Sequence, residues 1–71
     1  MQHFEYLIRS DLHDMAEDVA RPFGSRERER QKAYTEVVAA ELNKLGVLGW
    51  ELVKAPDAPT NRSWIFKRPM A

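Results

Sequence analysis

The chain has 71 residues, 44% hydrophobic and 31% charged, with no cysteine and a formal net charge of zero. A chain of that length supports one hydrophobic core and buries only about 60% of its unfolded surface, so a partner chain is its natural source of extra stability. The absence of cysteine excludes disulfides and thiolate metal sites, and neutrality excludes a whole-molecule field that would attract nucleic acid or an anionic membrane.

No apolar run approaches the roughly 18 residues that span a bilayer. The start, Met1-Gln2-His3-Phe4-Glu5, has neither a basic n-region nor an apolar h-region, so no signal peptide is expected and the default location is the cytoplasm. Asn61-Arg62-Ser63 matches a glycosylation acceptor, a chance match in a chain that is not secreted.

Residues 3–9 alternate, with Phe4, Tyr6 and Ile8 on one side and Glu5, Leu7 and Arg9 on the other. That period of two predicts a strand. Residues 10–24 form an insert in which Ser10 or Asp11 can cap a short helix carrying Leu12, Met15, Ala16 and Val19, ended near Ala20 by Pro22. Gly24-Ser25 opens the main helix, expected over about 26–45 with Ser25 as its cap. Tyr34, Val37, Val38, Leu42 and Leu45 recur at spacings of three and four, with Ala33 and Ala40 beside them, as one apolar stripe. Gly46 reads as the left-handed residue that stops the helix, with Val47 folding back on Leu42. A second strand follows over about 50–55, with Trp50 and Leu52 on one face. The two prolines of Pro56-Asp57-Ala58-Pro59-Thr60-Asn61 make a loop. A third strand spans about 63–68, with Trp64 and Phe66 sharing a face and Pro69 closing it.

The junction Leu42-Asn43-Lys44-Leu45-Gly46-Val47-Leu48-Gly49-Trp50-Glu51-Leu52-Val53 resembles the signature of a small bacterial and phage family, domain of unknown function 4177. That family shows Gly-x-x-Gly-Trp-Glu-Leu-Val where a helix meets a strand. Phe4-Glu5-Tyr6 resembles its opening strand and Ile65-Phe66-Lys67-Arg68-Pro69 its closing one, so about half of the chain is covered. The resemblance implies a fold and no activity, because the family has no catalytic residues to carry over. Two departures stand out: a longer link from Ser10 to about Glu29, and Leu48 at a position that is commonly polar.

No catalytic set can be assembled. Ser10, His13 and Asp14 are the residue types of a hydrolase triad, but neighbours on a helix point about 100° apart, and a capped, solvated helix start is the better reading. His13 and Glu17, four residues apart, have the spacing of two metal ligands, with Asp14 and Asp18 on the adjoining stripe and His3 as a conceivable third; we read the acids as a solvent face. Gly46-Val47-Leu48-Gly49 matches the Gly-x-x-Gly string of KH domains, yet it joins a helix to a strand and carries no basic residue. With three glycines in all there is no Walker loop or dinucleotide fingerprint. Arg26-Glu27-Arg28-Glu29-Arg30 reads as a solvated face. The acidic block Asp11, Asp14, Glu17 and Asp18 precedes the basic block Arg21, Arg26, Arg28, Arg30 and Lys32, an order that would suit head-to-tail pairing of protomers. Trp64 and Phe66 beside Arg62, Lys67 and Arg68 have the composition of a base-stacking surface, but so short a chain needs those rings in its core.

The expected fold is therefore α+β, a single β-α-β-β domain whose sheet has strand three between strands two and one; order 1-2-3 with strands one and two parallel is the alternative. The main helix is expected on the face bearing Phe4, Tyr6, Ile8, Trp50, Leu52, Trp64 and Phe66. That leaves Leu7, Val53 and Ile65 outward, ringed by Glu5, Arg9, Glu51 and Lys67, the pattern of an interface centre and rim. With Leu48 these form the candidate interface, for a second copy or another protein, unless the inserted helix folds over it with Leu12, Met15 and Val19. The expected function is a small non-catalytic interaction module without cofactor or metal; a nucleic-acid or nucleotide binder is the alternative.

Overall fold

The computed structural model describes residues 2–57 and 59–70; Met1, and Ala58 of the expected loop, lie outside them. The elements run β1 (Phe4–Arg9), α1 (Leu12–Ala20), a 3-10 turn (Arg21–Phe23), α2 (Glu27–Val47), β2 (Glu51–Lys54) and β3 (Trp64–Pro69). The three strands form one sheet in the order β1-β3-β2, antiparallel throughout, which makes the fold α+β and rules out the parallel arrangement.

The insert helix forms, and it belongs to the core. Its buried residues are Leu12, Ala16 and Ala20, a stripe at spacing four, while Val19 turns outward. Asp11 occupies the position before α1 but makes no side-chain cap, because Arg9 holds its carboxylate with two hydrogen bonds of 2.7 and 2.8 Å. Pro22 stands at the start of the 3-10 turn that follows Ala20, and Gly24 (φ +58°) redirects the chain into α2. There Arg26, not Ser25, sits at the helix boundary, and no side chain caps it.

α2 runs two residues further than expected. Gly46 lies inside the helix, and the left-handed residue is Gly49, with φ +92°. The Trp50 amide donates to the Leu45 carbonyl and the Gly49 amide to that of Gly46, each at 2.9 Å. That pair of bonds is the Schellman arrangement with Gly49 at C′, and its apolar contact is Trp50 on Leu45 rather than Val47 on Leu42. Val47 is instead 88% exposed.

Both helices pack on the same side of the sheet. Leu12, Leu45 and Phe66 form the buried cluster, and Leu7, Met15, Leu42, Trp50 and Trp64 pack around it. Arg68 ties the far end together. Its guanidinium pairs with Glu5, donates to the Leu48 carbonyl at 2.9 Å and lies 4.3 Å from the Trp50 ring centroid. The molecule is long and thin, 51 × 25 × 15 Å, with a radius of gyration of 14.1 Å where a compact chain of this length would have about 11 Å.

Candidate functional site: the open face of the sheet

Strand pairing decides which residues share a face, since partners directly across an antiparallel ladder point the same way. Leu7 pairs with Phe66, Glu5 with Arg68 and Arg9 with Trp64. These residues of β1 therefore face the helices, and Phe4, Tyr6 and Ile8 face away. The expected assignment of β1 is reversed.

The reason is local. Only Ser10 and Asp11 separate β1 from α1, so the helix must fold back onto the side to which Arg9 points. Arg9 fixes that side through Asp11, and its guanidinium also approaches Glu41 at 3.6 Å and the Met15 sulfur at 3.8 Å. The helix layer is narrow. Leu7, Phe66 and Trp64 fit beneath it, Leu52 shares their side but stays exposed, and Glu5, Arg68 and Arg9 line its margins with long charged side chains. Their polar ends reach solvent or each other while their stems cover carbon.

Three of the eight candidate interface residues, Leu7, Glu5 and Arg9, are thus on the helix side. Leu48 lies at the C-terminus of α2, exposed, with its carbonyl taken by Arg68. Ile65, Glu51 and Lys67 do lie together on the open face, where Glu51 pairs across to Lys67 with their charges 3.5 Å apart. Val53 sits at its margin, in a bulge that sets Val53 and Lys54 against Ile65. To these the structure adds Phe4, Tyr6 and Ile8. Tyr6 is 63% exposed and Ile8 61%, and Lys67 caps the Phe4 ring at 4.6 Å. Tyr6 stands across from Lys67 and Ile8 across from Ile65. The face is an apolar strip framed by one acid and two lysines. The signal for it was the second reading of an ambiguous strand: both alternating sets of β1 contain apolar residues.

The other constellations resolve into pairs. His13 Nδ1 is 3.0 Å from the Tyr34 hydroxyl, with the rings edge to face, so His13 serves the contact between α1 and α2. Asp14 approaches Arg62 at 3.6 Å, Glu17 binds Arg30 at 2.8 Å, and Asp18 meets Arg21 at 3.3 Å. The triad residue types are therefore not brought into a relay. Among the described residues no three His, Asp or Glu side chains gather as a metal would require. The acidic and basic blocks also meet within the chain, Glu17 to Arg30 across the two helices. Phe66 is fully buried and Trp64 half-buried, as the core reading expects.

Two carboxylates titrate below the ordinary range. The hydrogen bond from Arg9 lowers Asp11, and the same contact raises the Arg9 guanidinium. Lys54 lowers Asp57 on the exposed β2–β3 loop. Neither carboxylate faces a cleft, so neither has the environment of an acid–base catalyst.

Among the described residues no helix is long and apolar enough to cross a membrane. No family model, curated protein or solved structure matches the chain.

Proposed function

We propose that this chain is a small interaction module that self-associates through the open face of its sheet. One observation carries the reading: both helices lie on the other side, so Tyr6, Ile8 and Val53 are exposed around a half-buried Ile65. A wet sheet face ordinarily reads polar. The accessible surface is large. At 5358 Å² it exceeds by roughly 800 Å² the value of about 4,600 Å² expected of a folded monomer of this mass. An elongated shape accounts for such an excess, so it leaves room for a partner without locating one. A face of two six-residue strands and one of four measures at most roughly 20 by 15 Å, so two of them cover on the order of 600 Å², the size of a weak contact that dissociates on dilution.

A second copy fits the charges as well. A two-fold interface uses the same patch twice, and this patch carries Glu51 beside Lys67, so each can meet its opposite across the axis. Nucleic acid is the poorer occupant. Tyr6 and Phe4 beside Lys67 have the chemistry of a base-stacking surface, but Glu51 stands in the same row and the whole chain is neutral. Sedimentation over a dilution series, with a parallel heparin column at low salt, separates the two. A mass that falls on dilution with no heparin retention supports self-association; a constant monomer mass with salt-sensitive retention overturns it.

A further inference from the structure

We propose that the cleft between the two helices and the β2–β3 loop binds a small planar ring that carries one anionic group, a carboxylate or a phosphate. The cleft has a volume of about 420 Å³ and lies on the helix side, apart from the open face. Its walls are flat. His13 comes from α1, Tyr34 from α2 and Trp64 from the first position of β3, and Pro56 and Pro59 close it from the loop. Rings and prolines give an apolar slot of the kind that takes an aromatic ligand, within the size range of small-molecule sites.

Beside the His13–Tyr34 pair, the polar side chains of the lining are donors. Arg62 and Asn61 both line the cleft, and no carboxylate does. Asn61 accepts from the Ser63 amide at 3.0 Å with its carbonyl oxygen, and its amino group is turned to Asp57, so Arg62 is the donor that a ligand would meet. Arg62 has Asp14 as its partner at 3.6 Å, with the side chains 43% and 76% exposed, a loose pair of small worth. A bound carboxylate or phosphate would take the guanidinium with two parallel hydrogen bonds instead. Trp64 supplies an independent sign. Its Nε1 is buried and has no hydrogen-bond partner among the described residues. A shielded indole N–H without an acceptor is costly, which marks Trp64 as the unsatisfied residue of the cleft wall. The larger groove of about 570 Å³ beside it offers no such welcome. It is lined by Glu17 and Glu27, and Glu17 already holds its one guanidinium, Arg30, at 2.8 Å.

The full chain contains two tryptophans, so its ¹H–¹⁵N spectrum shows two indole signals, assignable with Trp50→Phe. The probes are benzoate and phenyl phosphate, with acetate and benzyl alcohol as controls. The expected result is a saturable shift of the Trp64 indole signal with at least one ring anion, a nearly still Trp50 signal, and little response to either control. The stronger of the two anions identifies the headgroup. Arg62→Gln, on an exposed loop, keeps the folded spectrum and weakens binding roughly tenfold or more, as loss of a charge-assisted bond demands. The proposal is overturned if neither anion moves Trp64, if benzyl alcohol moves it as far, or if Arg62→Gln binds like the parent. Self-association of the open face is read separately, by mass, and neither result decides the other.

Discussion

Leu7 of β1 lies directly across the ladder from Phe66 of β3, on the side of the sheet that both helices cover. This single pairing orients β1, because side chains alternate and a shift of one residue would turn every one of them over. It draws Leu7 into the core and puts Tyr6 and Ile8 outside. Leu7→Ala should therefore cost about 2 kcal/mol, the low end for a large apolar truncation because Leu7 is half-buried. Ile8→Ala, measured by urea unfolding of a dilute sample in which self-association is negligible, should cost well under half of that. The reverse ranking would mean that β1 has the opposite face inward.

The two glycines at the end of α2 should respond to alanine with opposite signs. Gly46 is helical and a Cβ added there meets nothing, so Gly46→Ala should stabilise by about 0.5–1 kcal/mol. At Gly49 the obstacle is not space, since the nearest atom to such a Cβ is the Arg68 Cδ at 3.8 Å, but the backbone at φ +92°. Gly49→Ala should cost on the order of 1–3 kcal/mol of strain. Thermal denaturation of the two variants reads the difference; a destabilising Gly46→Ala would restore Gly46 as the helix stop.

Asp11 should titrate below the ordinary aspartate range, and Arg9→Gln should return it there. A carboxylate lowered in the folded state contributes stability that is present above its unfolded value and is lost as pH falls through the folded one. The loss therefore falls on the acid side of the normal aspartate range, and neutral pH leaves it untouched. The Asp11 side is exposed and Arg9 only partly buried, so the contribution to stability is small and screened by salt. Carboxyl ¹³C titration of parent and variant measures it, and an unshifted Asp11 in the parent would show that Arg9 does not hold it.

Much of the architecture is legible in the amino-acid sequence. The α2 stripe from Tyr34 to Leu45 and the loop at Pro56 and Pro59 follow from periodicity and proline alone, and Pro22 marks where α1 stops, while the strand order keeps two readings until the pairing decides it. The points at which sequence and fold part share a cause: each offers two acceptable local choices. Gly46 and Gly49 both satisfy a helix stop, and the choice falls to Gly49 because it lets Trp50 reach Leu45. Tyr6 and Leu7 both satisfy a strand core, and the choice falls to Leu7 because a two-residue link and the Arg9–Asp11 clasp decide where α1 lands. Pattern within one strand carries no information about that clasp. The candidate site is half legible for the same reason. Ile65, Glu51 and Lys67 belong to strands whose phase the alternation gives correctly, whereas Phe4, Tyr6 and Ile8 are hidden by a phase that only pairing reveals. The cleft beside Trp64 is not legible at all, since it gathers residues from α1, α2 and a loop that no spacing connects.

The central claim is that the open face is an interface between two copies, and light scattering after gel filtration of the parent beside Ile8→Asp tests it most directly. Ile8 is exposed in the single chain and lies on the edge strand β1, across from Ile65 of the central strand. A buried, unpaired carboxylate there would break a dimer at little cost to the fold. The account predicts twice the chain mass of 8.3 kDa for the parent. It predicts a folded monomer, with the parent's circular dichroism, for Ile8→Asp. A parent that stays at 8.3 kDa at high concentration, or a dimer that Ile8→Asp leaves intact, would contradict it.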